Sequence, residues 1–79
     1  MTYSLEFLEE ALSEWEKLNN SIKLPLKKKL LKVLENPRVP KNQLSGHTNR
    51  YKIKLRTIGY RLVYEVIDSR VTVLVIAIR

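Results

Sequence analysis

From Tyr51 to Tyr64 the chain reads YKIKLRTIGYRLVY, and its side chains change character with a period of two. Tyr51, Ile53 and Leu55 share one face of an extended strand, and Lys52, Lys54 and Arg56 share the other. Beyond Gly59, which supplies the turn, Tyr60, Leu62 and Tyr64 alternate with Arg61 and Val63. Two such runs around a glycine specify a β-hairpin. Pairing apolar with apolar sets Leu55 opposite Tyr60, Ile53 opposite Leu62 and Tyr51 opposite Tyr64. The same register sets Lys54 opposite Arg61. Like charges facing each other across strands destabilise a sheet, and a Glu or Thr at either position would have relieved the repulsion. Cations kept at that cost point to an anionic ligand.

The segments before the hairpin supply what covers its apolar face. Residues 2–7 alternate, with Tyr3, Leu5 and Phe7 on one side, which predicts a short first strand. From Leu8 the period becomes helical: Leu8, Ala11, Leu12, Trp15 and Leu18 fall on one stripe, and the early glutamates suit a helix N-terminus. Asn19, Asn20 and Ser21 interrupt the pattern and offer a cap. A second helix is predicted over residues 21–35, with Ile22, Leu26, Leu30, Val33 and Leu34 inward and Pro25 in its first turn. Asn36 and Pro37 stop it. So short a connection makes the two helices an antiparallel αα-hairpin.

Residues 36–50 hold Pro37, Pro40 and Gly46 and predict a surface loop anchored by Val39 and Leu44. After the hairpin, Asp68 and Ser69 make a turn. The last segment, VTVLVIAI from Val71 to Ile78, is apolar on both faces apart from Thr72 and requires cover on both. The helices supply one cover. The other is expected from a further segment or a partner chain, because the sequence stops at Arg79 directly after this strand. The fold class that follows is α+β: a strand, an αα-hairpin and a three-stranded antiparallel meander, with the helices on one face of a four-stranded sheet.

Seventy-nine residues, 44% of them hydrophobic, support one core and one domain. Fifteen Lys and Arg against eight Asp and Glu leave a formal charge of +7, which favours polyanionic partners. The absence of cysteine excludes disulfides and thiolate metal sites. No segment approaches the roughly 18 apolar residues of a membrane span and no basic leader precedes an apolar run, so the expected location is cytoplasmic, without membrane association.

The plain reading of Lys52, Lys54, Arg56 and Arg61 is a solvated sheet face. The opposed Lys54 and Arg61 favour a site instead. Crowded cations give up a proton nearer neutral pH, which suits a general base, and they stabilise a phosphorane-like transition state. Lys23, Lys27, Lys28, Lys29 and Lys32 form a second basic surface on the second helix, of which Lys23, Lys27 and Lys28 are candidate phosphate contacts. Trp15, at helical spacing among leucines, reads as core. His47 is the single histidine and has no ligand-type partner at metal-binding spacing, so neither a metal nor a cofactor is expected.

ALSEWEKL, LKKKLLKVLENPR, YKIKLR and GYRLVYEVID, in this order of elements, resemble the RelE family of bacterial toxins over essentially the whole chain. The resemblance implies a ribosome-dependent messenger-RNA endoribonuclease working in the ribosomal A site by 2′-hydroxyl attack, with rRNA and message as partners and a RelB-like antitoxin that neutralises it. It assigns Lys52 and Lys54 to activating the 2′-hydroxyl and stabilising charge, Arg61 to the scissile phosphate and Arg56 to RNA binding.

The family continues beyond the last strand into a segment with a further arginine and a tyrosine. Ser45 also stands where relatives often carry a basic residue, so an attenuated activity is expected of this C-terminally short domain. Two other readings stay open. One is a non-enzymatic gyrase poison like the ParE proteins, which share the helices and sheet but lack the lysine and arginine cluster. The other is an RNA-binding or antitoxin-binding module without catalysis.

Overall fold

Each periodic run becomes an element of matching type. The computed structural model describes residues 2–55 and 59–79. The order is β1 (Ser4–Phe7), α1 (Glu9–Lys17), α2 (Asn20–Glu35), a 3-10 turn at Pro40–Asn42, β2 (Arg50–Leu55), β3 (Tyr60–Ile67), a second 3-10 turn at Asp68–Arg70, and β4 (Thr72–Ile78). Arg56 lies outside the described residues.

β2, β3 and β4 form the antiparallel meander, and β1 adds in parallel beyond β4, giving the order β1-β4-β3-β2. The last strand is therefore central. The helices cover one face of it, and its lack of alternation calls for cover on the other as well. On the uncovered face Leu74, Ile76 and Ala77 are half-buried.

The hairpin register is the one that apolar pairing demands. Tyr51 faces Tyr64, Ile53 faces Leu62, Leu55 faces Tyr60 and Lys54 faces Arg61. The inward faces of β2, β3 and β4 contribute Tyr51, Ile53, Leu62, Tyr64, Val66, Val73, Val75 and Ile78 to the core. All five predicted α2 positions, Ile22, Leu26, Leu30, Val33 and Leu34, close that core from above. Burial pushes the Tyr64 hydroxyl far above its ordinary pKa, so it stays a donor. It donates to the Pro37 carbonyl at 2.8 Å and ties the end of α2 to the sheet. The stacked Tyr51 and Tyr64 rings, with centroids 5.6 Å apart, reinforce the same junction.

Three local expectations are corrected. The first strand covers four residues, not six, because Tyr3 instead donates its backbone N–H to the Leu34 carbonyl. In α1 only Ala11 is fully buried; Leu8 and Leu12 are 44% and 41% exposed. Leu8 precedes the helix, and Leu12 stands about 100° round the axis from Ala11, turning it away from the sheet. In α2 the helix begins at Asn20, so Pro25 falls in its second turn rather than its first. A proline there removes the hydrogen bond to the carbonyl four residues back, that of Ser21. Ser21 is exposed, and water can reach that carbonyl.

A polar clasp fixes the edge of the fold that leads into β2. Arg38 donates to Asp68 at 2.6 Å, to the Asn49 side chain at 2.9 Å and to the Thr48 carbonyl at 3.2 Å, while the Tyr3 hydroxyl donates to the other Asp68 oxygen at 2.8 Å. The Arg38 hydrogen bond, then that of Tyr3, holds the Asp68 carboxyl below its ordinary value of 3.8. A carboxylate depressed in the folded state adds stability that is fully present above its unfolded pKa and is lost as pH falls through the folded one. Urea titrations below about pH 4 are therefore expected to show a smaller fall in midpoint for Asp68→Asn than for the parent chain. An identical acid profile would show that the clasp carries no linkage.

Candidate active site

Antiparallel alternation turns Arg50, Lys52 and Lys54 of β2 to the face away from the helices, with Arg61, Val63 and Glu65 beside them on β3. The ladder handles charge differently at its two ends. Arg50 faces Glu65, and its Nε donates to Oε1 at 3.1 Å. Lys54 faces Arg61, so two cations meet across the ladder. Lys52 is half-buried against Val63, whereas Lys54 and Arg61 are exposed.

The row of cations extends further than the hairpin. Arg61 donates its N–H to the Arg79 carbonyl at 2.6 Å and accepts from the Arg79 N–H at 2.8 Å, so Lys54 on β2, Arg61 on β3 and Arg79, the residue after β4, stand side by side. A β-bulge makes this alignment. Tyr64 pairs with Val75, but Val63 pairs with Ala77, leaving Ile76 as the extra residue. Without that one-residue shift Ile78 would face Arg61. Arg50, Arg61 and Arg79 then line a shallow pocket of about 280 Å³ together with Val63, Ile76 and Ala77.

On the other side of Lys52 and Lys54 a cleft of about 790 Å³ opens between β2, α2 and the Pro40–Asn42 turn. It is lined by Lys29, Lys32, Val33, Lys41, Asn42, Lys52, Ile53 and Lys54. Lys29 Nζ donates to the Lys54 carbonyl at 2.7 Å across it. A cavity of about 830 Å³ adjoins the row at Arg79, which lines it with Glu9, Glu10 and Glu14 of α1, and that acidic wall is unsuited to a phosphate.

The structure thus brings Lys52, Lys54 and Arg61 together on one face. It disperses the helix lysines proposed with them. Lys23 Nζ sits 5.8 Å from the centre of the Trp15 ring, and Trp15 itself packs on Phe7 at the margin of the core. Lys27 and Lys28 are exposed on α2 and do not line the cleft. Arg79 and Lys41 escaped attention as site residues, and the sequence marks Lys29 and Lys32 as part of the basic surface of the second helix but not as phosphate contacts. Lys29, Lys32 and the buried Val33 stand at i, i+3 and i+4, the spacing that could have marked the first two as bordering the core.

Cations on a sheet face, a ladder that sets two of them opposite each other, and helices on the opposite face give a small α+β protein with a basic face suited to an anionic ligand. Comparisons with known proteins give its family. A family model described as the ParE toxin of type II toxin-antitoxin systems, parDE, matches residues 5–79. The chain belongs to this toxin family. It is 55% identical over 78 residues to the mRNA interferase toxin RelE of Escherichia coli (strain K12), covering 99% of this chain and 82% of that one. The isolated E. coli RelE toxin superposes with a TM-score of 0.94, covering 96% of this chain and 81% of that chain at 55% identity. RelE in the intact E. coli RelBE toxin-antitoxin complex does so with 0.93 at the same identity, over 96% and 93%.

Proposed function

We propose that this chain is the toxin of a type II toxin-antitoxin pair and cleaves messenger RNA in the ribosomal A site. The observation that carries the reading is the placement of Lys54, Arg61 and Arg79 side by side, with Lys52 next to them on one face of the sheet. The carboxylate on this face of the hairpin, Glu65, is engaged by Arg50, so the group assigned to take the proton is a lysine in its neutral form. In the step that fits, a lysine of the Lys52 and Lys54 pair takes the proton of the ribose 2′-hydroxyl. The 2′-oxygen then attacks the adjacent phosphorus, and the bond to the 5′-oxygen breaks. The products are a 2′,3′-cyclic phosphate and a 5′-hydroxyl, its leaving oxygen protonated by solvent water, to which the lysine in turn releases the proton it took. Arg61 holds the non-bridging oxygens as their charge grows, and Arg79 adds to that field.

Message in which the 2′-hydroxyl of the cleaved nucleotide is replaced by hydrogen is expected to stay intact in programmed ribosomes, and normal message to yield the cyclic phosphate end. Cleavage of the deoxy message would remove 2′-attack from the reading. The family description names ParE toxins, and the second reading is accordingly a gyrase-poisoning toxin like them. Stalled gyrase complexes with no RNA cleavage would establish it.

A RelB-like antitoxin is the neutralising partner in this proposal, its segment covering the basic face. The message and ribosome place the activity in the cytoplasm. No described helix is long and apolar enough to cross a membrane.

A further inference from the structure

We infer that the lysine cleft between α2, the Pro40–Asn42 turn and the edge of β2 is a second phosphate-binding track. It would hold the RNA backbone flanking the cleaved bond, with Lys29, Lys32 and Lys41 as its binding residues. This rests on the function proposed above and adds to it a surface outside the cation row.

The walls come from three separate parts of the chain, and each contributes ammonium groups. No Asp or Glu lines the cleft. Among the described residues, ion pairs join Lys17 to Glu14, Arg38 to Asp68, Arg50 to Glu65 and Arg70 to Glu6, and none involves Lys29, Lys32, Lys41 or Lys52. The charges of Lys29, Lys32, Lys41 and Lys52 are therefore available to an anionic ligand.

Both ends of the β2 edge that borders the cleft are already bonded within the chain. The Lys54 carbonyl is occupied by Lys29 Nζ, the Arg50 carbonyl accepts the Leu44 N–H at 2.9 Å, and Tyr51 is bridged by Gln43. An extended peptide would need those acceptors. A polyanion needs only the ammonium groups. Because Lys52 and Lys54 belong both to the cleft and to the proposed reacting centre, an RNA strand leaving that centre across β2 enters the cleft without a break.

The test is binding of a short single-stranded RNA whose 2′-hydroxyls are methylated, so that it cannot be cleaved, measured against salt. Each phosphate contact to a single strand contributes about 0.7 to the slope of log affinity against log salt. Lys29→Gln with Lys41→Gln is therefore expected to lower the slope by about 1.4. Lys17→Gln with Arg70→Gln removes the same charge far from the cleft and is expected to leave the slope nearly unchanged. Lys32→Gln with Lys41→Gln, which spares the Lys29 bond to the sheet, guards against a change of fold and is expected to match the first pair.

Equal slopes for cleft and control pairs overturn the inference. So does a cleft variant that loses an antitoxin peptide but not RNA. The proposed reaction stands or falls separately: if Lys54→Ala leaves cleavage untouched while the cleft pairs still lose slope, the reacting site is wrong and the track remains.

Discussion

Lys54→Ala is expected to slow single-turnover cleavage of message in programmed ribosomes by about 10²- to 10⁴-fold, the range of a positioned proton-transfer group. Arg61→Ala is expected to cost about 10²- to 10³-fold, as removal of one electrostatic stabiliser does. Both side chains are exposed and neither supports the core, so folding is expected to be unaffected. The two effects differ in kind. Lys54 faces Arg61 directly across the ladder, and removing either relieves the repulsion on the other. The double variant should therefore lose less than the product of the single losses, as residues acting as a unit do. Cleavage that is indifferent to Lys54→Ala would sink the assignment of this face as the reacting centre. Loss in Lys54→Ala that is matched by loss of ribosome binding would move Lys54 from chemistry to docking.

The parts of this site that were legible in the sequence are those set by one local period. The hairpin alternates so strictly that pairing Tyr51 with Tyr64 determines that Lys54 meets Arg61, and the structure has that register. The inward stripe of α2 was legible for the same reason. Arg79 was not, because its place depends on a bulge, and nothing in VTVLVIAI marks Ile76 as the residue that drops out of the ladder. Lys41 could not be joined to Lys29 and Lys52 either, since the three meet only when a turn, a helix and a strand close around one cleft. Pro25 was misplaced by the small uncertainty that helix starts carry. The partial exposure of Leu8 and Leu12 reflects how α1 rotates on β4, a matter of packing that periodicity leaves open.

The chain's fold depends most on the contact between α2 and the sheet, and Leu26→Ala is expected to show it by removing about 2–5 kcal/mol of stability. Leu26 is completely buried, so the substitution deletes apolar contact and leaves a cavity between helix and sheet that neighbours fill only in part. A domain of 79 residues has a total of about 4–12 kcal/mol, so this loss is a large share of it. Leu31→Ala, one helical stretch away but 56% exposed, is expected to change stability by less than about 0.5 kcal/mol. Urea unfolding separates the two, and equal losses would contradict the placement of α2 over β2. Function should follow stability at one surface in particular. α2 carries Lys29 and Lys32 to the cleft, and Lys29 reaches the Lys54 carbonyl only while the helix sits against β2. Leu26→Ala measured well below its unfolding midpoint should therefore weaken RNA binding more than Leu31→Ala does, although neither leucine carries charge.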